Sequence, residues 1–140
     1  MNILFICSGN TCRSPLAQGM CTALYGKEHT AESAGMWVYS CDPPSKHGQT
    51  ILNEKYGTDL SSHRSHNVTE EEMQWCDRAY VMTYTQYEVL RHRFPTYSDK
   101  VELLDKKIDI QDPFGGTLEK YETCAEHIRI SLAKELGDPA

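Results

Sequence analysis

The sequence predicts an α/β fold: one domain over residues 1–140, built on a four-stranded parallel sheet with helices on both faces. Two observations carry this. Short apolar runs rich in branched residues alternate with segments of helical periodicity, the order that lays strands parallel under crossover helices. The first such run, Ile3-Leu4-Phe5-Ile6, has no polar alternation, as expected of a strand buried on both sides.

The elements follow in order. The first strand runs into Cys7-Ser8-Gly9-Asn10-Thr11-Cys12-Arg13-Ser14-Pro15, a tight turn into a helix. Ser14 reads as that helix's N-cap, with Pro15 in the first turn. Leu16, Met20 and Leu24 recur at helical spacing, and Gly26 ends the helix. Residues 28–34 read as a second strand. Residues 36–44 form a loop, with Trp37 and Tyr39 as candidates for the rim of a pocket and Trp37 equally a cover for the core. A helix over 44–56 buries Ile51 and Leu52 and stops at Gly57, and residues 57–67 are polar and irregular. Thr69-x-x-Glu72 is a capping box opening a short helix through Trp75. Residues 78–82 make the third strand. Thr83-x-x-Gln86 caps a further helix that stops before Pro95, and residues 101–104 make the fourth strand. After a long loop over 105–117, the last helix carries Tyr121, Ala125, Ile128, Leu132 and Leu136 on one face.

Length and composition narrow the class. A chain of 140 residues, 39% hydrophobic and 24% charged, suits one soluble globular core. A net charge of −6 argues against broad nucleic-acid binding. No stretch is long and apolar enough to span a membrane, and the N-terminus carries no signal-like segment, so a cytoplasmic protein is expected. The six cysteines include no C-x2-C pair, which favours free thiols. The histidines show no metal-ligand spacing, and neither a metal nor a cofactor is expected.

The chemistry concentrates in the first turn. Cys7 stands at the carboxyl end of a strand, and Arg13 six residues later opens a helix. Between them Ser8, Gly9, Asn10, Thr11 and Cys12 can wrap one tetrahedral oxyanion with their backbone N–H groups, helped by the helix N-terminus. Gly9 permits backbone angles closed to other residues, and Asn10 is the next best residue at positive φ. The loop dipoles and Arg13 favour a thiolate at Cys7, and the Ser14 hydroxyl can donate to its sulfur. A nucleophilic thiol facing an anion cradle points to phosphoryl transfer. Such a reaction also needs an acid for the leaving group. Asp112 is the candidate: it lies in the long loop before Pro113, with Gly115-Gly116 to turn the chain back. Read from the pattern alone, it is a solvated loop aspartate before proline rather than an acid. Asp112 must hold a proton while Cys7 is ionised.

The stretch Cys7 to Pro15 resembles the phosphate loop of the low-molecular-weight protein phosphatases, C-x-G-N-x-C-R-S-P. Ser33-Ala34-Gly35, His63-Arg64-Ser65 and Asp112-Pro113-Phe114-Gly115-Gly116 follow in the family's order. The resemblance implies that Ser33 and His63 support Asn10, that Asp112 is the general acid, and that phosphorylated proteins are the partners. Without it, Ser33 reads equally as a turn serine or a hydroxyl beside the loop, and His63 reads as a surface histidine. The family's tyrosine phosphatases usually carry an aliphatic residue where Thr11 stands, and two aromatics where Phe114-Gly115 stand. Both departures match the protein-arginine phosphatase branch. A hydroxyl on the wall suits a guanidinium, and Gly115 removes half the wall that grips a phenyl ring. Thr11 is also a near-isostere of valine without a role of its own.

Three other readings stay open. Tyrosine phosphatase is the nearest. Arsenate reduction would need two closely spaced later cysteines, whereas only Cys76 and Cys124 occur in the second half. A silent phosphate-binding module would be expected to lack Cys7 or Asp112. Cys12, five residues from Cys7, is either a thiol that captures an oxidised Cys7 or a structural thiol under the loop. The oligomeric state is not encoded in any of these features, and a monomer is expected.

Overall fold

The computed structural model describes residues 1–140. Its elements are β1 (Asn2–Cys7), α1 (Arg13–Tyr25), β2 (Thr30–Gly35), α2 (Lys46–Tyr56), α3 (Glu70–Trp75), β3 (Arg78–Val81), α4 (Tyr84–Arg93), a 3₁₀ turn (Pro95–Lys100), β4 (Val101–Leu103) and α5 (Leu118–Leu136). The four strands form one sheet in the order β2-β1-β3-β4, with every pair parallel. Strand β1 is central because it is apolar on both sides. Ile3, Phe5 and Cys7 join the core under α1, α2 and α5, while Leu4 and Ile6 join the one under α3 and α4. The chain leaves β1 towards β2 on one side and later returns to β3 on the other. The carboxyl end of β1 is therefore a topological switch point, where parallel sheets open a crevice.

Two sequence expectations change. Ser14 does not cap α1. The helix begins at Arg13 with Cys12 in the cap position and no side-chain cap bond. Ser14, fully buried, spends its hydroxyl on the cysteine loop instead. The second strand starts at Thr30, because the N–H groups of Glu28 and His29 both turn back to the Tyr25 carbonyl to close α1. The two capping boxes form as the sequence implies, at Thr69–Glu72 and Thr83–Gln86.

Gly35 sets how closely the neighbouring segments approach. A Cβ there would lie 2.4 Å from Val38 Cγ2, 3.0 Å from the Ser8 carbonyl and 3.1 Å from Asn10 Cβ. Beyond the strand, the Gly35 N–H donates to the His66 carbonyl and the Gly35 carbonyl accepts from Val68 N. This short extension brings residues 63–66 against the loop that follows β1.

Candidate active site

Cys7 is 2% exposed and sits at the floor of a cleft of about 230 Å³ lined by Cys7, Gly9, Thr11, Cys12, Arg13, Asp112 and Phe114. Asn10 is the single non-glycine residue with positive φ, at 56°. Four bonds hold its side chain there. Nδ2 donates to Ser14 Oγ at 2.8 Å and to Ser33 Oγ at 3.1 Å. Oδ1 accepts from the backbone N–H of His66 at 3.3 Å and lies 3.1 Å from His63 Nε2. Since an amide oxygen only accepts, His63 is the tautomer carrying its proton on Nε2. Burial, followed by the neighbouring His66, lowers the His63 pKa, which keeps the ring neutral. Gly9 lies outside the positive-φ region. Its missing side chain keeps the cleft clear, because a Cβ would meet only Thr11 Oγ1, at 3.8 Å.

The sulfur of Cys7 receives two protons' worth of attention. Asn10 N–H donates to it at 3.2 Å, and Ser14 Oγ lies at 3.0 Å. Ser14 already accepts from Asn10, and its other acceptor, the Ala34 carbonyl, is at 3.4 Å. Its single proton thus serves either the sulfur or the Ala34 carbonyl, and the sulfur is the nearer of the two. Around this sulfur the backbone N–H groups of Gly9, Thr11 and Cys12 have no acceptor within the protein. Arg13 Nε is likewise buried without a partner. Donors left unsatisfied in one cleft form a binding site for an oxyanion.

Arg13 also reaches the acid loop. Nη1 donates to the Ile110 carbonyl at 2.9 Å, and Nη2 lies 3.6 Å from Asp112 Oδ2. Asp112 accepts from the Phe114 N–H at 3.1 Å, and Gly115 turns the chain at φ 74°. The loop is pinned at its base by Ile110 N–H to the Met82 carbonyl and by Asp105 to His127 at 2.6 Å. No three His, Cys, Asp or Glu side chains are grouped so as to hold a metal ion.

The structure thus brings Cys7, Arg13, Asp112, Ser14, Ser33, His63, Thr11 and Phe114 together as the sequence grouped them. It does not bring Trp37 and Tyr39 to the cleft. The Trp37 N–H holds the Ser8 carbonyl, and Tyr39 is 95% exposed. Cys12 packs under the loop, 3.3 Å from the Tyr121 hydroxyl, and burial pushes its thiol pKa up. Three contributors escaped sequence reading: Gln18, whose Oε1 accepts from Ser33; Tyr121; and Gln86, which donates to Ser8 Oγ. Only Gln86 carried a local signal, and that signal was for a helix cap. Cys76 and Cys124 belong to cores on opposite faces of the sheet.

A strand–loop–helix cradle holding cysteine, asparagine and arginine, with an aspartate loop across its mouth, defines a cysteine-dependent phosphatase scaffold. Residues 2–137 match the family described as low molecular weight phosphotyrosine protein phosphatase, and the chain belongs to that family. It is 33% identical over 135 residues to a protein-arginine-phosphatase of Geobacillus stearothermophilus, covering 93% of this chain and 90% of that one. Among solved structures it is similar to a low molecular weight protein tyrosine phosphatase from T. tengcongensis, with TM-score 0.88, 33% identity and coverage of 97% and 99%. It is also similar to a YwlE arginine phosphatase whose cysteine-to-serine mutant carries a phosphorylated active site serine. There the TM-score is 0.86, identity 32% and coverage 97% and 95%. No helix is long and apolar enough to cross a membrane.

Proposed function

We propose that this protein hydrolyses phosphoarginine on protein substrates through a phosphocysteine intermediate. The observation that carries the phosphatase reading is the set of uncommitted donors around Cys7: three backbone N–H groups and the buried Arg13 Nε in one cleft. Cys7 attacks phosphorus as a thiolate. The S–P bond forms while the N–P bond to the guanidino group breaks, and Asp112 gives its proton to the departing nitrogen. Water then attacks phosphorus and loses a proton to Asp112. The S–P bond breaks and inorganic phosphate leaves. Loop N–H groups and Arg13 hold the equatorial oxygens in both steps. The serine phosphorylated in the related arginine phosphatase supports a covalent intermediate at this position.

Thr11 and Phe114-Gly115 support arginine as the substrate residue, and so does the name of the Geobacillus relative. Thr11 presents a hydroxyl to the cleft wall, and Phe114, 75% exposed, stands alone where a phenyl ring would be clasped from two sides. The second reading, phosphotyrosine, draws on the family description and the T. tengcongensis structure. Cys12 is the natural partner for an oxidised Cys7 within the loop, which would make the enzyme redox-sensitive.

The test compares kcat/KM on matched phosphoarginine and phosphotyrosine peptides. A preference for phosphoarginine of about tenfold or more is expected; equal rates or a preference for phosphotyrosine would transfer the assignment. Cys7→Ser in the same assay should bind phosphate without turnover. Turnover near the parent rate would remove Cys7 from its role.

A further inference from the structure

We propose that Gln86 is a positioning residue for the phosphate loop: its side-chain amide ties the first turn of α4 to Ser8 and fixes the segment that follows Cys7. This rests on the phosphate-binding reading of that loop. The chain contains two capping boxes of one design. In α3, Glu72 accepts from Thr69 N at 3.0 Å, and its other oxygen is free to pair with His66 at 2.8 Å. In α4 the equivalent residue is Gln86, which is 1% exposed. Its Oε1 accepts from Met82 N at 2.8 Å and Thr83 N at 3.1 Å, so the cap uses the oxygen alone. A glutamate would cap equally well, as Glu72 does. Only the amide supplies Nε2, which donates to Ser8 Oγ at 3.0 Å. An amide also keeps negative charge out of a buried position beside a cradle built for an anion.

The tie completes a clamp on Ser8. The Ser8 carbonyl accepts from Met36 N at 3.1 Å and Trp37 N at 3.0 Å. That carbonyl and the Gly9 N–H belong to one planar trans peptide and point in opposite directions. Holding the carbonyl on β2's side therefore turns the Gly9 N–H away from it, towards the cleft. Gln86 fixes the other half of Ser8, from the β3 side of the sheet. Loss of either hold lets this peptide rotate and costs the cradle a donor.

The experiment measures inorganic phosphate binding by calorimetry and melting temperature on four proteins: the parent, Ser8→Ala, Gln86→Met and the double variant. Ser8→Ala removes the tie and spares the cap. It should weaken phosphate binding about five- to tenfold and, because it leaves the buried Gln86 Nε2 without its acceptor, lower the melting temperature by less than Gln86→Met does. Gln86→Met removes tie and cap together. It should weaken phosphate binding to a similar degree and also lower the melting temperature. In the double variant the melting temperature should fall as in Gln86→Met, while phosphate affinity should fall no further than in either single variant. The proposal is overturned if Ser8→Ala binds phosphate as the parent does, or if the two losses of affinity add in full. kcat/KM on a phosphopeptide, measured on the same proteins, separates the two readings. A parent that binds phosphate without turnover removes the phosphatase and leaves the tie measurable. A parent that binds no phosphate overturns both.

Discussion

Arg13 and Asp112 face each other across the cleft, Nη2 3.6 Å from Oδ2, with one side chain 6% exposed and the other 49%. The same guanidinium holds the backbone of the acid loop through the Ile110 carbonyl. Arg13 is thus the shared anchor of the phosphate cradle and the proposed acid. In the proposed mechanism a phosphoryl group entering the cleft would compete with Asp112 for Arg13 and so free the carboxyl for the leaving group. On that reading the arrival of substrate and the freeing of the acid would be coupled.

Asp112→Asn should therefore separate two effects. Phosphate binding should hold or improve, because the carboxylate that competes for Arg13 is gone. Turnover of phosphopeptides with poor leaving groups should fall about 10²–10⁴-fold, the usual contribution of a general acid. Aryl phosphates with acidic leaving groups should lose far less. Equal losses on both kinds of substrate would make Asp112 a structural residue of its loop.

Gly35→Ala tests the packing behind the cradle. The new methyl meets the flexible Val38 side chain and also the Ser8 carbonyl, which is loop backbone. Overpacking of this kind costs about 1–3 kcal/mol. If the loop yields, phosphate affinity should fall about tenfold alongside the loss of stability. A lower melting temperature with phosphate affinity intact would show that Val38 and β2 yield instead.

Much of this site was legible because its chemistry is local. Cys7, Asn10, Arg13 and Ser14 lie within one turn, and their spacing alone implies a cradle. Asp112 is picked out only by the family resemblance of Asp112-Pro113-Phe114-Gly115-Gly116, since its local pattern alone reads as a solvated loop aspartate before proline. What escaped were contacts made across the fold. Gln86 is far from Ser8 in sequence, and its capping box accounted for it completely at the local level. Tyr121 read as one more apolar position on the α5 face, which it also is. Ser14 carries two local readings, a helix cap before proline and a partner for the Cys7 sulfur, and the structure keeps only the second, because Cys7 and Asn10 take its hydroxyl. Trp37 and Tyr39 were placed at the rim by type, whereas the backbone of Trp37 is the part that serves the loop.

The Asp105–His127 pair at the base of the acid loop gives a pH dependence of stability. Burial works to raise the Asp105 pKa, but His127 and the backbone N–H groups of Lys107 and Ile108 outweigh it and hold the carboxyl at about 2. A carboxyl depressed below its unfolded value stabilises the fold above pH ~4, and that stabilisation is lost as pH falls towards about 2. With side chains 17% and 23% exposed, the contribution is about 1–2 kcal/mol after solvent screening. Asp105→Asn should be less stable than the parent by that amount at neutral pH, with the gap closing between pH ~4 and ~2. Denaturant unfolding across this range checks it. A gap that stays constant down to pH ~2 would show that the carboxylate's charge is not what stabilises the loop base.

Thr11→Ile should move specificity from phosphoarginine towards phosphotyrosine. Thr11 lines the cleft beside Gly9 and Cys12, and its hydroxyl makes one long side-chain contact, 3.7 Å to Cys12 Sγ, which leaves it hydrogen-bonding capacity. That hydroxyl is available to a polar guanidino group. Removing it should cost phosphoarginine about 1–3 kcal/mol of transition-state binding, roughly ten- to a hundredfold in kcat/KM. The larger apolar side chain adds contact for a phenyl ring, worth a similar or smaller amount to phosphotyrosine. The backbone N–H of the position is unchanged, so inorganic phosphate should inhibit parent and variant alike, which separates a change in specificity from damage to the cradle. Gly115 remains, and Phe114 still stands alone on its side of the mouth, so the switch should be partial. A kcat/KM ratio between matched peptides that stays within about twofold of the parent would leave Thr11 without a part in choosing the substrate and return phosphotyrosine to equal standing.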